Sequence, residues 1–246
     1  MNRAERRNQS RPKSSARKTG ITYLTVAGVI GGTIGLASPA FAATSVDCDD
    51  LASDLTSLTT TGGTLTIAFT DPDPVTCDLA EGYVFQLPTT IVGPADGSLN
   101  LRFTGSSYAG FYGNSDLSVS NLNFTKSADS SVYSLIVSSV TQSLTVSNST
   151  FSDSSFSDSS LGAAIYAEGS LQVTDSAFTN LTSYSFGAAI RVNDSNNGTT
   201  SITNSSFEGN VSAGPGGAVY TNNGTFVTNS NFKSNATASG GSGGAI

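Results

Sequence analysis

The chain has 246 residues, of which 12% are charged and 37% hydrophobic, with 26 glycines, two cysteines, no histidine and no tryptophan. Its formal net charge of −7 disfavours nucleic acids and anionic lipid surfaces, which proteins meet with basic patches.

The basic residues crowd into the beginning. Arg3, Arg6, Arg7, Arg11, Lys13, Arg17 and Lys18 stand against one acid, Glu5, and an apolar run follows from Ile21 to Ala37. Ser38-Pro39-Ala40-Phe41-Ala42 then supplies a small-x-small site. That order predicts a secretory signal peptide over 1–42, cleaved after Ala42. The competing reading is a retained anchor, but the apolar run is broken by Gly31-Gly32 and lies at the short edge of the roughly 17–25 residues a span requires. Without the leader, Arg102, Lys126, Arg191 and Lys233 remain against 17 acids, a net charge near −13. No second run of membrane length follows. The expected location is extracellular or cell-surface.

Residues 43–98 read as an N-terminal cap and the first coils of the fold. Asp47 is a plausible helix N-cap, and Leu51, Leu55 and Leu58 fall on one helical face. Gly62-Gly63 turns the chain into a strand at 64–69, with further strands over Tyr83–Val92 and Leu99–Phe103. Cys48 and Cys77, an even pair in an exported chain, suggest one disulfide between cap and strands.

Residues 99–246 carry a repeat. Leu117-Ser-Val-Ser-Asn-Leu-Asn-Phe124 recurs as 144–151, 171–178, 200–207 and 225–232, with Phe positions 27, 27, 29 and 25 residues apart. Nine or eleven residues after each of the last four phenylalanines comes Gly162-Ala-Ala-Ile165, Gly187-Ala-Ala-Ile190, Gly216-Gly-Ala-Val219 or Gly243-Gly-Ala-Ile246. Period-two alternation and β-branched residues exclude a helical unit. The predicted fold class is all-β: a single-stranded parallel β-helix, or solenoid, with a short N-terminal α-helical cap. Coils stack at the strand spacing of ~4.8 Å, so like residues lie above like. Asn121, Asn148, Asp175, Asn204 and Asn229 should then form a file at one turn, with stacked amides bonding along the axis. Ile246 falls inside a repeat, so the chain is expected to continue into further coils.

Phe207-Glu-Gly-Asn210 and Phe232-Lys-Ser-Asn235, each followed by Gly-Gly-Ala-[Val/Ile], resemble the repeat of the chlamydial polymorphic outer membrane proteins and related bacterial repeat proteins. The resemblance covers about residues 117–246, although Phe124, Phe151 and Phe178 lack the Asn three residues later. It implies an extracellular right-handed parallel β-helix, in several members an adhesin.

Candidate chemistry is sparse. Many parallel β-helices cleave polysaccharides, with paired carboxylates or a basic residue plus Ca²⁺. Here the acids recur in no strand-borne pair. Asp49-Asp50 belongs to the cap, Asp71-Pro72-Asp73 to a turn, and Asp153 and Asp158 to a solvated loop. A carbohydrate-active enzyme is therefore the lesser expectation, a structural envelope spacer another, and no cofactor or metal is expected. The residues after Ile165, Ile190 and Val219 should point outward: Tyr166, Arg191 and Tyr220, a cation–π file that could serve as a binding face for a glycan or a host or cell-surface protein. Tyr108, Phe111 and Tyr112 form a second aromatic patch, read as packing. Asn-x-Ser/Thr sequons at Asn148, Asn204 and Asn235 follow from the repeat composition.

Overall fold

The computed structural model describes residues 42–45, 47–69, 74–158, 160–193, 198–238 and 241–246. Nearly all of the expected leader, and Asp71-Pro72-Asp73, lie outside them.

The chain is a parallel β-solenoid of about six turns with one short helix at its N-terminal side. Helix α1 spans Cys48–Thr61. The Asp47 side chain accepts the Asp50 N–H at 2.8 Å, capping an otherwise orphaned donor. Leu51, Leu55 and Leu58 are fully buried, because their spacing puts them on one face, packed on the first strands. A Cys48–Cys77 disulfide ties the start of α1 to the strand Val75–Leu79.

Four parallel sheets wrap the core. Sheet A has eight strands: Ala42–Ser45, Gly63–Ile67, Thr89–Val92, Leu117–Ser120, Ser143–Ser147, Ser170–Thr174, Thr199–Thr203 and Gly224–Thr228. Sheet B has seven, from Val75–Leu79 to Asn231–Lys233, and sheet C six, from Tyr83–Phe85 to Val219–Thr221. Sheet D, with four two-residue strands, begins at Ser155–Phe156. Each turn of the chain visits the sheets in order, so a strand pairs with its counterpart one coil away. Leu117, Leu144 and Leu171 lie in register, as do Val119, Val146, Val173 and Ile202.

The repeated phenylalanines form a continuous stack inside sheet B. Ring centroids from Phe124 through Phe151, Phe178 and Phe207 to Phe232 are 4.9, 4.8, 4.7 and 4.5 Å apart, and the ring planes are nearly parallel. Glycine opens each later strand of sheet C for a steric reason. Gly187 and Gly216 have φ of 55° and 70°, and a Cβ on either would lie 2.1 Å from the carbonyl oxygen of Ile190 or Val219.

The expected amide ladder requires correction. Asn121, Asn148, Asp175, Asn204 and Asn229 do occupy one file, but all five take left-handed backbone, φ 46–57°. Their backbone N–H groups, at Asn121, Asn148, Asp175 and Asn204, donate to the strand end of the next coil. Among the described residues, no side-chain bond joins two members of the file. Asn and Asp tolerate this conformation best among non-glycine residues. The hydrogen-bonded ladder runs one residue later. Leu122, Ser149, Ser176 and Ser205 donate N–H to the Oγ of Ser149, Ser176, Ser205 and Ser230 in the next coil. Each of those hydroxyls in turn donates to the carbonyl two residues back. A true amide ladder occupies the following corner. Asn210, fully buried, receives the Leu181 N–H on Oδ1 and donates Nδ2 to Phe178 O and Asn235 Oδ1. Both ladders satisfy backbone groups that turns leave unpaired.

Candidate functional site

The outer face of sheet C carries one file in register, Val84, Tyr112, Val137, Tyr166, Arg191 and Tyr220. Alternation turns these residues away from the core, since Ile165, Ile190 and Val219 point in. The expectation of an open binding column fails at its centre. Tyr166 is 4% exposed and Arg191 9%, because the short segments 160–161 and 185–186 lie over the sheet. Leu161, Ala109, Val137 and Tyr166 form a small second apolar cluster, with Tyr112 packed against it.

Arg191 is the latch that holds those segments. Its guanidinium lies 5.4 Å from the Tyr166 ring centroid and 5.0 Å from that of Phe186, while Phe186 stacks on Tyr220 at 4.9 Å. Nη1 donates to the Ser160 carbonyl at 2.5 Å and to Ser185 Oγ at 2.6 Å; among the described residues, Nε has no hydrogen-bond partner. Burial opposes ionisation of Asp158 nearby. Hydrogen bonds from Ser160 Oγ and from the Leu161 and Ser160 N–H groups, with the charge of Arg191, outweigh it and hold the carboxyl below the usual range.

The accessible part of this face lies beside the latch. Tyr108, 53% exposed, packs edge-on against Tyr112 at 5.7 Å and Tyr133 at 6.2 Å. Burial first, then Tyr112, Glu168, Tyr166 and Asp158, raises the Tyr108 phenol. A polar row borders it. Tyr166 OH donates to Glu168 Oε1 at 3.1 Å, Asn193 Nδ2 to Tyr166 OH at 3.4 Å, and Asn222 Nδ2 to Asn193 Oδ1 at 3.3 Å. Burial, the largest influence, also raises the Tyr166 phenol.

Tyr133, Glu168, Asn193 and Asn222 were not singled out from the sequence. Three of them carried a usable signal. Glu168, Asn193 and Asn222 each follow Tyr166, Arg191 or Tyr220 by two residues, so alternation sets them on the same outer face. Phe111 is fully buried in the core, leaving Tyr108 and Tyr112 as the outward members of that aromatic group. Asp49 and Asp50 fall in the first turn of α1, and Asp47 above all raises the Asp50 carboxyl. Asp153 accepts the Asn180 side-chain amide.

Chemically, the patch offers flat phenol faces, two neutral amides and a carboxylate acceptor. Asp158 is a poor proton donor because its hydrogen bonds favour the ionised form. Among the described residues, no group of three or more His, Cys, Asp and Glu could hold a metal ion, and no helix is long and apolar enough to cross a membrane. No family model matches the chain, and no curated protein or solved structure matches it.

Proposed function

We propose that the chain is an extracellular or cell-surface, adhesin-like β-helix that binds a neutral glycan on the outer face of sheet C. The observation that carries this reading is the Tyr108–Tyr112–Tyr133 cluster bordered by the row Glu168, Tyr166 OH, Asn193 and Asn222. A pyranose presents apolar C–H faces and a rim of hydroxyls. Aromatic rings accept the first, and amides and carboxylate pair with the second. The net charge near −13 of residues 43–246, with Glu168 and Asp158 at the patch, disfavours acidic sugars. The repeat resemblance to polymorphic outer membrane proteins and the leader-like N-terminus support a surface location.

A glycan array probed with the full chain tests it. Neutral oligosaccharides should be retained and uronate- or sialate-rich ones not. Tyr108→Ala with Tyr133→Ala should weaken binding about 30-fold, taking ~1 kcal/mol per ring. Unchanged binding by a double variant of normal β-type circular dichroism refutes the reading, as does an array with no neutral hit.

A further inference from the structure

Two loops that enter sheet C carry exposed tyrosines side by side. Tyr108 precedes the strand Phe111–Gly113, and Tyr133 precedes Ser134–Ser138 in the next coil. Those strands pair with Phe111 opposite Ile136, an offset of 25 residues (136 minus 111), and the same offset takes Tyr108 to Tyr133. Hydrogen bonds tie the two loops together at both ends. Ser130 Oγ and the Ser131 N–H both donate to the Gly105 carbonyl, at 2.8 and 3.2 Å, and the Gly110 N–H donates to the Ser134 carbonyl at 3.0 Å. Between these ties the two rings meet edge to face, with centroids 6.2 Å apart. Tyr108 is 53% exposed and Tyr133 39%.

The pair is confined to these two coils. The equivalent positions on either side are Ala80, by the offset that pairs Tyr83 with Phe111, and Gly162, by the offset that pairs Ile136 with Ile165. The other described phenols are placed differently. Tyr112 touches Tyr108, but it stands half-buried on a strand that is paired on both sides. Tyr83 and Tyr166 are buried, and the Tyr166 hydroxyl is bonded to Glu168. Tyr220 stacks on Phe186, a ring without a phenol. Tyr184 is 65% exposed and has no ring contact among the described residues.

We propose that Tyr108 and Tyr133 are a site of oxidative cross-linking, coupled into a dityrosine by hydrogen peroxide and a haem peroxidase. Each phenol gives up one electron and its O–H proton, leaving a phenoxyl radical whose spin is shared with the ortho carbons. A bond then forms between one ortho carbon of each ring. The hydrogen on each joined carbon passes to the oxygen of its own ring, which restores two phenols. The peroxide O–O bond takes up the two electrons and two protons and becomes two waters, so the protein loses two hydrogens in all. The two rings already touch, so their coupling is intramolecular and outruns encounters between chains. Both stand on loops, where small side-chain rotations bring the ortho carbons together. The product is a covalent staple between neighbouring coils at the edge of sheet C. Its formation needs no sugar at the patch.

The test treats the dilute full chain with hydrogen peroxide and a haem peroxidase, then reads dityrosine fluorescence of the monomer and maps its peptides by mass spectrometry. The monomer should become fluorescent, lose two hydrogens and yield a cross-linked peptide that joins Tyr108 to Tyr133. Tyr133→Phe should lose the monomer fluorescence, whereas Tyr112→Phe and Tyr184→Phe should keep it, all with unchanged circular dichroism. In urea, where the loops no longer lie in register, the Tyr108–Tyr133 product should give way to mixed pairings. Dityrosine confined to cross-linked dimers overturns the proposal, as does a Tyr108–Tyr112 product in place of Tyr108–Tyr133. Equal yield of the Tyr108–Tyr133 product in urea also overturns it. The peptide map of the unaltered chain decides without any variant.

Discussion

Phe178→Ala removes the central ring of the phenylalanine stack. Phe178 is fully buried, with Phe151 at 4.8 Å on one side and Phe207 at 4.7 Å on the other. Truncating a buried phenylalanine costs about 3–5 kcal/mol, and the loss of two stacked neighbours places this site near 4. For a chain of this size that corresponds to a Tm fall of roughly 8–16 °C. In a solenoid each coil touches only its neighbours, so the damage should be local. Hydrogen–deuterium exchange should rise between about residues 144 and 212, with little change in α1. Phe232→Ala is the control, since Phe232 is half-buried and stacks on Phe207 alone among the described rings; its loss should be less than half as large. Equal losses from the two variants, or a loss below about 1 kcal/mol from Phe178→Ala, would refute the stacking argument.

The two asparagine files should respond differently to glycine. Asn204→Ala should cost about 1 kcal/mol and Asn204→Gly almost nothing, because that file is retained for left-handed backbone, whereas Asn210→Ala and Asn210→Gly should both cost ~2–3 kcal/mol by orphaning buried groups; urea unfolding of the four variants reads the difference. The Arg102 guanidinium beside Asp78 holds its carboxyl below the usual range, so the pair's stabilisation is present above the unfolded pKa near 4 and lost as pH falls through the lower folded value. Both groups are about half exposed, so Asp78→Asn should cost at most ~0.5 kcal/mol at pH 7, and the difference in Tm from the unaltered chain should vanish in strong acid. Replacing Cys48 and Cys77 by Ser opens a link of sequence separation 29 and should cost about 3.5 kcal/mol, with β-type circular dichroism kept below the lowered melt.

The fold was legible because each coil repeats the same local chemistry. Five phenylalanines at near-constant spacing, and Gly-Ala-Ala-Ile elements in step with them, leave few alternatives to stacked coils. The helical cap was legible too, since Asp47 and three leucines at helical spacing need no distant information. The hydrogen-bonding files were harder. The asparagines at the turn drew attention because their amides can stack, yet the backbone uses them for positive φ. The serine that follows in four of the five repeats, at 149, 176, 205 and 230, was the available signal for the ladder. Burial of Tyr166 and Arg191 was not legible at all. Alternation correctly turns both away from the core, but the cover comes from residues 160–161 and 185–186, in connections that vary in length and composition between coils. Local pattern says which way a side chain points and nothing about what folds over it. The same limit hid Tyr133, whose place beside Tyr108 depends on two loops from successive coils.

The fold requires equivalent residues of successive coils to sit side by side, and cysteine pairing measures that directly. Thr145 and Gln172 are register partners on the outer face of sheet A, whereas Thr145 and Ser170 are diagonal, about 8 Å apart by strand geometry and beyond disulfide reach. Under mild oxidation, Thr145→Cys with Gln172→Cys should form a second intramolecular disulfide, seen by mass spectrometry, and Thr145→Cys with Ser170→Cys should stay reduced. Cross-linking of the diagonal pair in preference to the register pair would contradict the stacking of the coils.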